Sequence, residues 1–468
     1  MYTTQKKLFI LLPDGVGLRN FAFTDFYGKA KNSGFDVVFW NHSAFDLSQI
    51  GLPEIKLHEK KPHRLTDILK WAKIAIELNR NIEITGDDVY DSYRFPPSGK
   101  DLKSKIRRAM IRWYTFRYSS KNGLERLQKR MESLERTTPL YRESMETLRL
   151  EKPDLIFCTN QRPVLAISPL RAAKDLGIPV STFIFSWDNL PKATKVIEAD
   201  HYFVWSEHMK RELLFYYPNI SDRQIAVTGT PQFESHFNQD LREDRETFFA
   251  KHDLDLDRNY ICYSGDDVNT SPHDPRYLSD VAAAVRELNA NGNKLGIVFR
   301  RCPTDFSTRF DKVLNENADI ITSIAPAWAK MGDVWNMVLP TAADMALLSN
   351  TIAHTEMVVN LGSSMVFDYA AFGKPCAFMN YDPIDNPVEG WSVKKIYEFV
   401  HFKSMPDAGS VIWLDNPGEI ARKLGSAIRE TSQTVAHAND WFSKINQQPA
   451  TEASIRIVNE LKSLAGCI

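Results

Sequence analysis

The sequence predicts an α/β protein with two domains, each a doubly wound parallel sheet covered by helices. Three observations predict this fold. The chain has 468 residues, which is long for one core and comfortable for two. Short runs rich in Val, Ile, Phe and Tyr recur along it, and most are continuously apolar, as strands covered on both faces must be. Helix-length stretches such as 275–290 and 341–352 separate many of these runs, which is typical of right-handed βαβ units.

The predicted strands fall into two groups, one in each half of the chain. Those of the first half are 7–14, 35–42, 153–160, 179–189, 201–207 and 224–230. Those of the second half are 259–267, 294–301, 319–326, 356–364, 374–382 and 410–416. Together they predict two Rossmann-like sheets in tandem.

Two segments interrupt the alternation. Residues 62–150 contain only helical stretches (66–79, 101–118 and 122–149), so we expect a helical insertion in the first domain. The charged segment 231–258 is expected to connect the domains and to act as a closure hinge. The predicted domains are therefore 1–235 and 236–468, with the last helix crossing back to the first domain as an open alternative.

Composition excludes several classes of protein. The net charge of −1 gives no global attraction for nucleic acid, and no apolar run approaches the roughly 20 residues that span a bilayer. The five cysteines form no CxxC pair, and the apolar run 8–12 is too short for a signal peptide. We therefore expect reduced, buried thiols in a cytoplasmic protein.

One local stretch departs from this balance. Residues 100–130 are strongly basic and interleaved with Trp113, Tyr114, Phe116 and Tyr118. Two interpretations are open: docking on an anionic membrane surface at the inner face of the cell membrane, or an aromatic face that packs on its own domain.

In open α/β sheets, ligands bind beyond the carboxyl ends of the strands, so two such domains facing each other predict a cleft. The richest strand end is 356–375. There a strand is followed by Gly362, Ser363 and Ser364 at a helix start, which is expected to hold phosphate. Asp368, on the next turn, is expected to accept hydrogen bonds from a ribose diol.

Two further strand ends belong to the second domain. Arg300 and Arg301 end one strand, and because they point to opposite faces, one of them is expected to reach a diphosphate. Gly265 is expected in a tight loop after another strand. The neighbouring pair Asp266–Asp267 is not expected to bind a metal, since no further ligand cluster accompanies it.

The first domain supplies the other half of the predicted site. Its acceptor-side candidates follow three strands and are Gly15, Arg19, Asn160, Trp187 and Asn189. The Gly-Val-Gly at 15–17 is not a dinucleotide fingerprint, because position 20 is Asn rather than Gly. Three groups compete for the role of general base that deprotonates a sugar hydroxyl. They are Asp188, Asp14 and His42.

These segments together resemble a known group of enzymes. SWDNLPKA (186–193), Trp205–Ser206, Val-Thr-Gly (227–229) and the Gly-Ser-Ser turn are similar, as a set, to GT-B glycosyltransferases of bacterial surface-polysaccharide assembly. CDP-glycerol phosphotransferases of teichoic acid synthesis and UDP-GlcNAc 2-epimerases share this architecture. The chain departs from commoner patterns in its helical insertion and in having Asp368 where many relatives have Glu.

The resemblance implies a metal-independent transfer that uses no cofactor, with a nucleotide-sugar donor on the second domain. It implies a saccharide or lipid-linked saccharide acceptor on the first domain. The turn at 362–364 and one of the two arginines would hold the diphosphate, and Asp368 the ribose. The alternatives are a glycerol- or ribitol-phosphate transferase, a UDP-sugar 2-epimerase, and a non-catalytic binding protein. The epimerase would need several acids around one sugar, and the sequence shows no such cluster.

Overall fold

The computed structural model describes residues 5–59, 61–94, 99–331, 338–384 and 388–466. The chain forms two compact units. The first comprises Met1–Pro231 and Ile445–Ile468, and the second comprises Gln232–Lys444. The carboxyl-terminal segment, which the predicted boundaries assigned to the second domain, is thus part of the first unit.

The first unit contains a parallel sheet of seven described strands. They are β1 (Lys6–Leu12), β2 (Phe35–Asn41), β3 (Glu54–Lys56), β4 (Leu155–Cys158), β5 (Val180–Phe183), β6 (His201–Val204) and β7 (Ile225–Val227). Their spatial order is β3-β2-β1-β4-β5-β6-β7. The order reverses between β1 and β4, so a topological switch point lies at the carboxyl ends of these two strands.

Helices cover this sheet. They are α1 (Leu18–Phe21), α2 (Phe26–Asn32), α3 (Thr66–Thr85), α4 (Leu102–Tyr118), α5 (Gly123–Glu135), α6 (Pro139–Glu151), α7 (Ile167–Asp175) and α8 (Glu207–Tyr216). The described residues between 61 and 151 contain helices and no strand, as predicted for the insertion. The predicted helix 122–149 is two helices. A break at Thr138 separates them, because Pro139 starts α6 and the Thr138 hydroxyl accepts the Tyr141 N–H.

Continuous apolar runs produce the buried strands. Leu8 to Leu12 of β1 are fully inaccessible to solvent, because helices cover both faces of the sheet. β3 is not among the strands predicted from the sequence. This strand has only three residues, two of them charged, and it lies at the sheet edge, where a short polar strand is typical.

The second unit contains a parallel sheet of six described strands and a small antiparallel pair. In chain order the strands are β8 (Asn259–Ser264), β9 (Leu295–Arg300), β10 (Ile321–Ser323), β11 (Ala329–Lys330), β12 (Val338–Leu339), β13 (Val358–Asn360), β14 (Cys376–Met379) and β15 (Ile412–Leu414). The sheet order is β10-β9-β8-β13-β14-β15, and β11 pairs with β12. This sheet has its switch point between β8 and β13.

Helices also cover the second sheet. They are α9 (Arg245–Lys251), α10 (Asp274–Ala290), α11 (Asp311–Glu316), α12 (Ala342–Ala353), α13 (Met365–Ala370), α14 (Val393–Tyr397), α15 (Ile420–Arg429) and α16 (Ser432–Ile445). Both units are therefore α/β with parallel, Rossmann-like sheets, which confirms the predicted fold class.

The predicted connection at 231–258 is folded into the second unit. It contains a short 3₁₀ helix at Pro231–Phe237, a second one at Gln239–Leu241, and α9. Phe233 is fully buried and packs edge-on against Phe442 at 4.8 Å. The boundary between the units falls at Pro231, and the predicted closure hinge stays a prediction.

The last helix, α17 (Ala453–Leu464), packs on α2 in the first unit. Arg456 Nε donates to the carbonyl of Thr228 at 2.8 Å, and Asn446 Oδ1 accepts the Thr230 N–H at 2.9 Å. These bonds tie the carboxyl-terminal segment to the chain that follows β7.

Four of the five cysteines are described, and all four are free thiols. Cys158, Cys262 and Cys376 are buried, Cys302 is partly exposed, and Cys467 lies outside the described residues. Among the described helices, none combines the length and the apolar character that a membrane span requires.

Candidate functional site

The second unit brings two predicted glycine turns to its switch point. Gly265 follows β8 and Gly362 follows β13, and these strands are adjacent in the sheet. A Cβ on Gly265 would lie 3.2 Å from the Phe299 ring and 3.3 Å from the Phe310 ring, so this turn is tightly packed. The carboxyl ends of the two strands therefore supply backbone to one place, where such sheets bind ligands.

The turn after β13 requires glycine. Gly362 has a φ of +66°, in the left-handed region that side chains disfavour. A Cβ there would also lie 3.1 Å from Phe402 and 3.2 Å from Ile396. Buried Asn360 holds the turn from below, since its Oδ1 accepts the Ser363 N–H at 3.0 Å. The geometry of the turn is thus fixed within the second unit.

This arrangement corrects the prediction that both serines present free N–H groups. The Ser363 N–H is used by Asn360, and the Ser363 hydroxyl accepts the Met365 N–H at 3.4 Å. Ser364 is exposed and does not cap α13. The N–H groups of Gly362 and Ser364 make no hydrogen bond to a described residue, so these two are the donors open to a ligand.

Arg300 is not a free charge. At the end of β9, its Nη2 donates to both carboxylate oxygens of Asp344, at 2.7 and 2.9 Å, and both side chains are buried. Asp344 also accepts the Trp328 Nε1–H at 2.7 Å. Arg300 Nη1 is buried and has no hydrogen-bond partner among the described residues. The guanidinium therefore neutralises Asp344 through Nη2, and its Nη1 amino group is left to donate.

Arg301 is bound to its own loop. Its Nη1 donates to the carbonyl of Ser307 at 2.6 Å, and its guanidinium lies 5.5 Å from the Phe310 ring. Of the two arginines, Arg300 is therefore the better candidate for binding a ligand, through its Nη1 group.

Asp368 has a partner that the sequence analysis missed. Its Oδ1 lies 2.7 Å from His236 Nε2, and both side chains are almost completely buried. His236 belongs to the segment that was predicted to be a hinge. A buried carboxylate that already binds a histidine fits a structural role better than the predicted ribose contact.

A cluster of acidic residues lies beyond the end of β8. Asp274 is fully buried, accepts the Tyr263 hydroxyl at 2.6 Å and accepts the Asp266 N–H at 2.6 Å. Burial, with Asp274 and Asp267 nearby, raises the pKa of Asp266 to about 7. Arg309 closes the cluster by donating to the carbonyl of Asp266 at 2.6 Å. A carboxyl group that titrates near neutrality is suited to acid–base work, a role that the sequence analysis had not assigned to Asp266.

The first unit places Asp14 and Asn160 at its own switch point. Asp14 follows β1, Asn160 follows the adjacent β4, and Asn160 Nδ2 donates to Asp14 Oδ2 at 3.0 Å. Burial raises the pKa of Asp14, against the lowering effects of the Val16 N–H, Asn160, Arg162 and Lys70. Gly15 is buried in the 3₁₀ turn that Asp14 caps.

Arg19 is partly exposed and makes no ion pair with a described residue. His42 follows β2 and is buried, with Nε2 at 2.8 Å from the carbonyl of Glu59. Because a carbonyl only accepts, Nε2 carries the hydrogen in this contact.

The turn at 186–189 is held by hydrogen bonds. Asn189 Oδ1 accepts from Gln161 Nε2 at 2.9 Å, and Gln161 Oε1 accepts the Phe185 N–H at 3.0 Å. Asp188 forms an ion pair with Lys192, and Trp187 is buried. Asn189 and Trp187 therefore shape the turn, and Asp188 is the side chain of the three that is partly exposed.

This turn borders a cavity of about 400 Å³ inside the first unit. We call it the basic cavity, because three of its four charged lining residues are cations. Its lining residues are Lys70, Trp71, Ile74, Tyr93, Arg162, Phe185, Ser186, Asp188, Asn189, Lys192 and Thr194. The sequence pointed to the strand-end residues, but nothing in the helical pattern of α3 signalled Lys70 or Trp71.

Within the described part of the chain, no group of three or more His, Cys, Asp or Glu side chains is arranged to hold a metal ion.

Comparison with known proteins supports the fold. No protein-family model and no curated protein sequence matches the chain. Among solved structures, a putative UDP-N-acetylglucosamine 2-epimerase from Listeria monocytogenes has a TM-score of 0.56 at 12% identity, covering 98% of this chain and 96% of that one. The S. aureus MnaA–UDP co-structure has a TM-score of 0.54 at 12% identity, covering 99% and 98%. A glycosyltransferase from Rickettsia africae ESF-5 has a TM-score of 0.50 at 10% identity, covering 98% and 99%. These likenesses show a GT-B-like fold over the whole chain.

Proposed function

We propose that the protein is a glycosyltransferase that moves a sugar from a nucleotide-sugar donor to a saccharide or lipid-linked saccharide acceptor, without a bound metal. The observation that carries this proposal is the placement of the glycine turns of the second unit and of Asp14 in the first at the switch points of their sheets. It is supported by the printed descriptions of the similar structures, which name UDP, UDP-N-acetylglucosamine and glycosyl transfer.

The donor diphosphate is assigned to the second unit. The N–H groups of Gly362 and Ser364, which make no hydrogen bond to a described residue, would stabilise the negative charge that develops on the leaving group, and Arg300 Nη1 would add a hydrogen-bond donor. β9 and β13 lie on either side of β8, about 10 Å apart at the usual strand spacing. A diphosphate and an extended arginine side chain together span this distance. One nucleotide-sugar molecule can therefore contact the ends of both strands.

The general base is assigned to Asp14. A base accepts a proton more readily when its pKa lies closer to the working pH, and burial moves Asp14 in that direction. Asp188 is a weaker candidate for the base, because Lys192 already neutralises its charge. The basic cavity that Asp188 lines is suited to hold the acceptor. His42 is bound to a backbone carbonyl beside β3, on the other side of β1 from that cavity.

The basic cavity suits the binding of an acceptor, which a transferase needs and a 2-epimerase does not. Epimerisation moves a proton at a sugar carbon and needs acid and base groups around that carbon. The charged lining has one carboxylate and three cations, so it suits the binding of an acceptor better than proton exchange on both faces of a sugar.

The test is product analysis with UDP-, GDP- and CDP-activated donors. A transferred sugar with release of the nucleoside diphosphate supports the proposal, while transfer of glycerol or ribitol phosphate or conversion of the free UDP-sugar to its epimer contradicts it. Asp14→Asn is expected to lower turnover by about 10²- to 10⁴-fold. Asp25→Asn is the matched control, because Asp25 is exposed and its side chain caps nothing. Thermal unfolding of both variants separates loss of chemistry from loss of fold.

We further propose that transfer takes place at an anionic membrane surface. Of the aromatic residues in the basic stretch, Tyr114 packs on its own unit, but Trp113 and Phe116 are 58% and 82% exposed. Leu102 and Ile106 are exposed on the same face, and with Ala109 they complete a stripe at helical spacing along α4. Exposed cations flank the stripe on both sides, namely Lys103, Lys105, Arg112 and Arg117. An apolar stripe between two rows of cations is the pattern of a helix that lies in a lipid interface.

Vesicle co-sedimentation tests this surface. Full-length protein is expected to bind phosphatidylglycerol-containing vesicles and to dissociate in high salt. Replacing Trp113 and Phe116 by Ser together is expected to abolish binding, whereas Leu150→Ser is the control, since Leu150 is 79% exposed elsewhere in the first unit. Equal binding to pure phosphatidylcholine, or full binding by the double variant, would contradict the proposal.

A further inference from the structure

The lining of the basic cavity holds three cations and one carboxylate. Lys192 is neutralised by its ion pair with Asp188. Lys70 makes no ion pair or hydrogen bond with a described residue, and its Nζ lies 5.9 Å from the Trp71 ring. Arg162 adds a guanidinium from the strand end after β4, where its backbone N–H is held by Asn160 Oδ1 at 3.1 Å. Besides the Asp188–Lys192 pair, the cavity is thus lined by two cations, Lys70 and Arg162.

The walls between these charges are aromatic. Trp71, Tyr93 and Phe185 line the same space. Flat apolar faces beside a few polar groups are the usual composition of a small-molecule site, and about 400 Å³ lies within the usual range of such sites. The volume accommodates a sugar ring with one charged substituent.

The electrostatic surroundings of Lys70 favour the binding of an added anion. Desolvation lowers the pKa of Lys70, and Arg162 lowers it further by repulsion, while Asp67 and Asp14 act in the opposite direction. An anion placed between this ammonium and the Arg162 guanidinium would offset both the desolvation and the repulsion. A phosphate or carboxylate group supplies that anion and matches the planar fork of arginine.

We infer that the acceptor of the proposed transfer is an anionic saccharide, whose phosphate or carboxylate group is bound by Lys70 and Arg162 in the basic cavity. The inference rests on the proposed function, and it names the class of acceptor. Nothing in the sequence pattern assigned these two side chains to a site.

The same contact connects acceptor binding to the general base. Lys70 and Arg162 are the two charges that lower the pKa of Asp14. An anion bound to them cancels this effect, so the carboxylate of Asp14 binds a proton more strongly when the acceptor is in place. Lys70 and Arg162 therefore act as positioning residues, and Asp14 remains the group that takes the proton.

Binding to the full-length protein without any donor tests the inference. The probes are glucose, glucose 6-phosphate and glucuronate, measured by calorimetry. At least one charged sugar is expected to bind at least about tenfold more tightly than glucose, because hydrogen bonds to charged groups contribute that much. The comparison of phosphate with carboxylate identifies which anion the cavity prefers.

Lys70→Met and Arg162→Met are expected to weaken binding of the charged sugar by at least about tenfold each. Lys31→Met and Arg64→Met are the matched controls, since both side chains are exposed in the first unit and lie outside the cavity. If a cavity variant fails to fold, a salt titration of the wild type decides the point. Binding of glucose 6-phosphate should weaken with salt, and binding of glucose should not.

Three results would overturn the inference: glucose binding as tightly as both charged sugars, no binding of any probe, or full binding by Lys70→Met and Arg162→Met. Because no donor is present, the outcome is separate from that of the transfer assay. A protein that binds glucose 6-phosphate but transfers no sugar would contradict the proposed function and leave the anion site standing.

Discussion

Replacing Arg300 by Met should lower the stability of the second unit, and this effect should be larger than any loss of nucleotide affinity. The side chains of Arg300 and Asp344 are only 7% and 9% exposed and are joined by two hydrogen bonds. Removing one member of a buried pair leaves the other charge without compensation, which typically lowers the free energy of unfolding by about 3–5 kcal/mol. For a unit of about 200 residues, each kcal/mol shifts the melting temperature by about 2–4 °C. We therefore expect a decrease of about 6–20 °C.

The second member of the pair separates charge from contact. Asp344→Asn keeps an oxygen for the Ala327 N–H but removes the charge. The double variant Arg300→Met with Asp344→Asn should be more stable than the sum of the single effects predicts, because neither charge is left alone. Neighbouring residues in one network typically show a coupling of about 0.5–3 kcal/mol. Urea unfolding of all four proteins measures this coupling.

Arg301→Met is the control for the neighbouring position. Arg301 is partly exposed and donates to backbone carbonyls of its own loop, so its loss is expected to change the unfolding free energy by about 1 kcal/mol or less. An Arg300→Met variant with the melting temperature of the wild type and a lower nucleotide affinity would contradict this prediction. In that case Arg300 mainly binds the nucleotide-sugar, and its ion pair with Asp344 contributes little to the stability of the fold.

Three further predictions concern the second unit. Gly362→Ala should lower the free energy of unfolding by more than Gly373→Ala, because both glycines have positive φ but only Gly362 has side chains within 3.4 Å of the added Cβ; left-handed backbone alone costs about 1–2 kcal/mol, and equal losses in urea would contradict this. Asp266→Asn should be more stable than the wild type by up to about 4 kcal/mol at pH 8, since burial raises the pKa of this carboxyl from 3.8 to about 7 and each pKa unit corresponds to about 1.4 kcal/mol; this gain should disappear below about pH 4, and a gain that grows on acidification would be the wrong sign. Asp368→Asn should lower stability by about 1–3 kcal/mol through the loss of a charged partner for His236, whereas unchanged melting with weaker UDP binding would favour the predicted ribose contact.

The sequence predicted the fold because its signals are local. Runs such as Leu8 to Leu12 are buried on both faces, and this alone makes them continuously apolar. Strand ends are also local, which is why Asp14 and Asn160 were both singled out before their contact was known. The polar edge strand β3 gave no such signal, since a charged strand of three residues has no period to detect.

Pairings between distant charges were beyond prediction. Asp344 lies 44 residues from Arg300, and Asp368 lies 132 residues from His236. Each of these residues alone fits a ligand contact as well as a buried ion pair. The difference is decided by tertiary packing, and for this reason the donor-side residues changed role more than the glycines between them, whose backbone requirement is visible in the chain itself.

The helical insertion connects the two proposals made for the first unit. α3 supplies Lys70 and Trp71 to the basic cavity, and Asp67, about one turn earlier on the same helix, pairs with Arg107 of α4. An ion pair therefore joins α4, which carries the exposed apolar stripe, to α3, which lines the cavity. A lipid-linked acceptor whose anionic group lies near the membrane surface would meet both features together. The core sheet would then supply the chemistry through Asp14, and the insertion would select the acceptor. Exchanging the insertion should consequently change acceptor preference and leave donor preference unaltered.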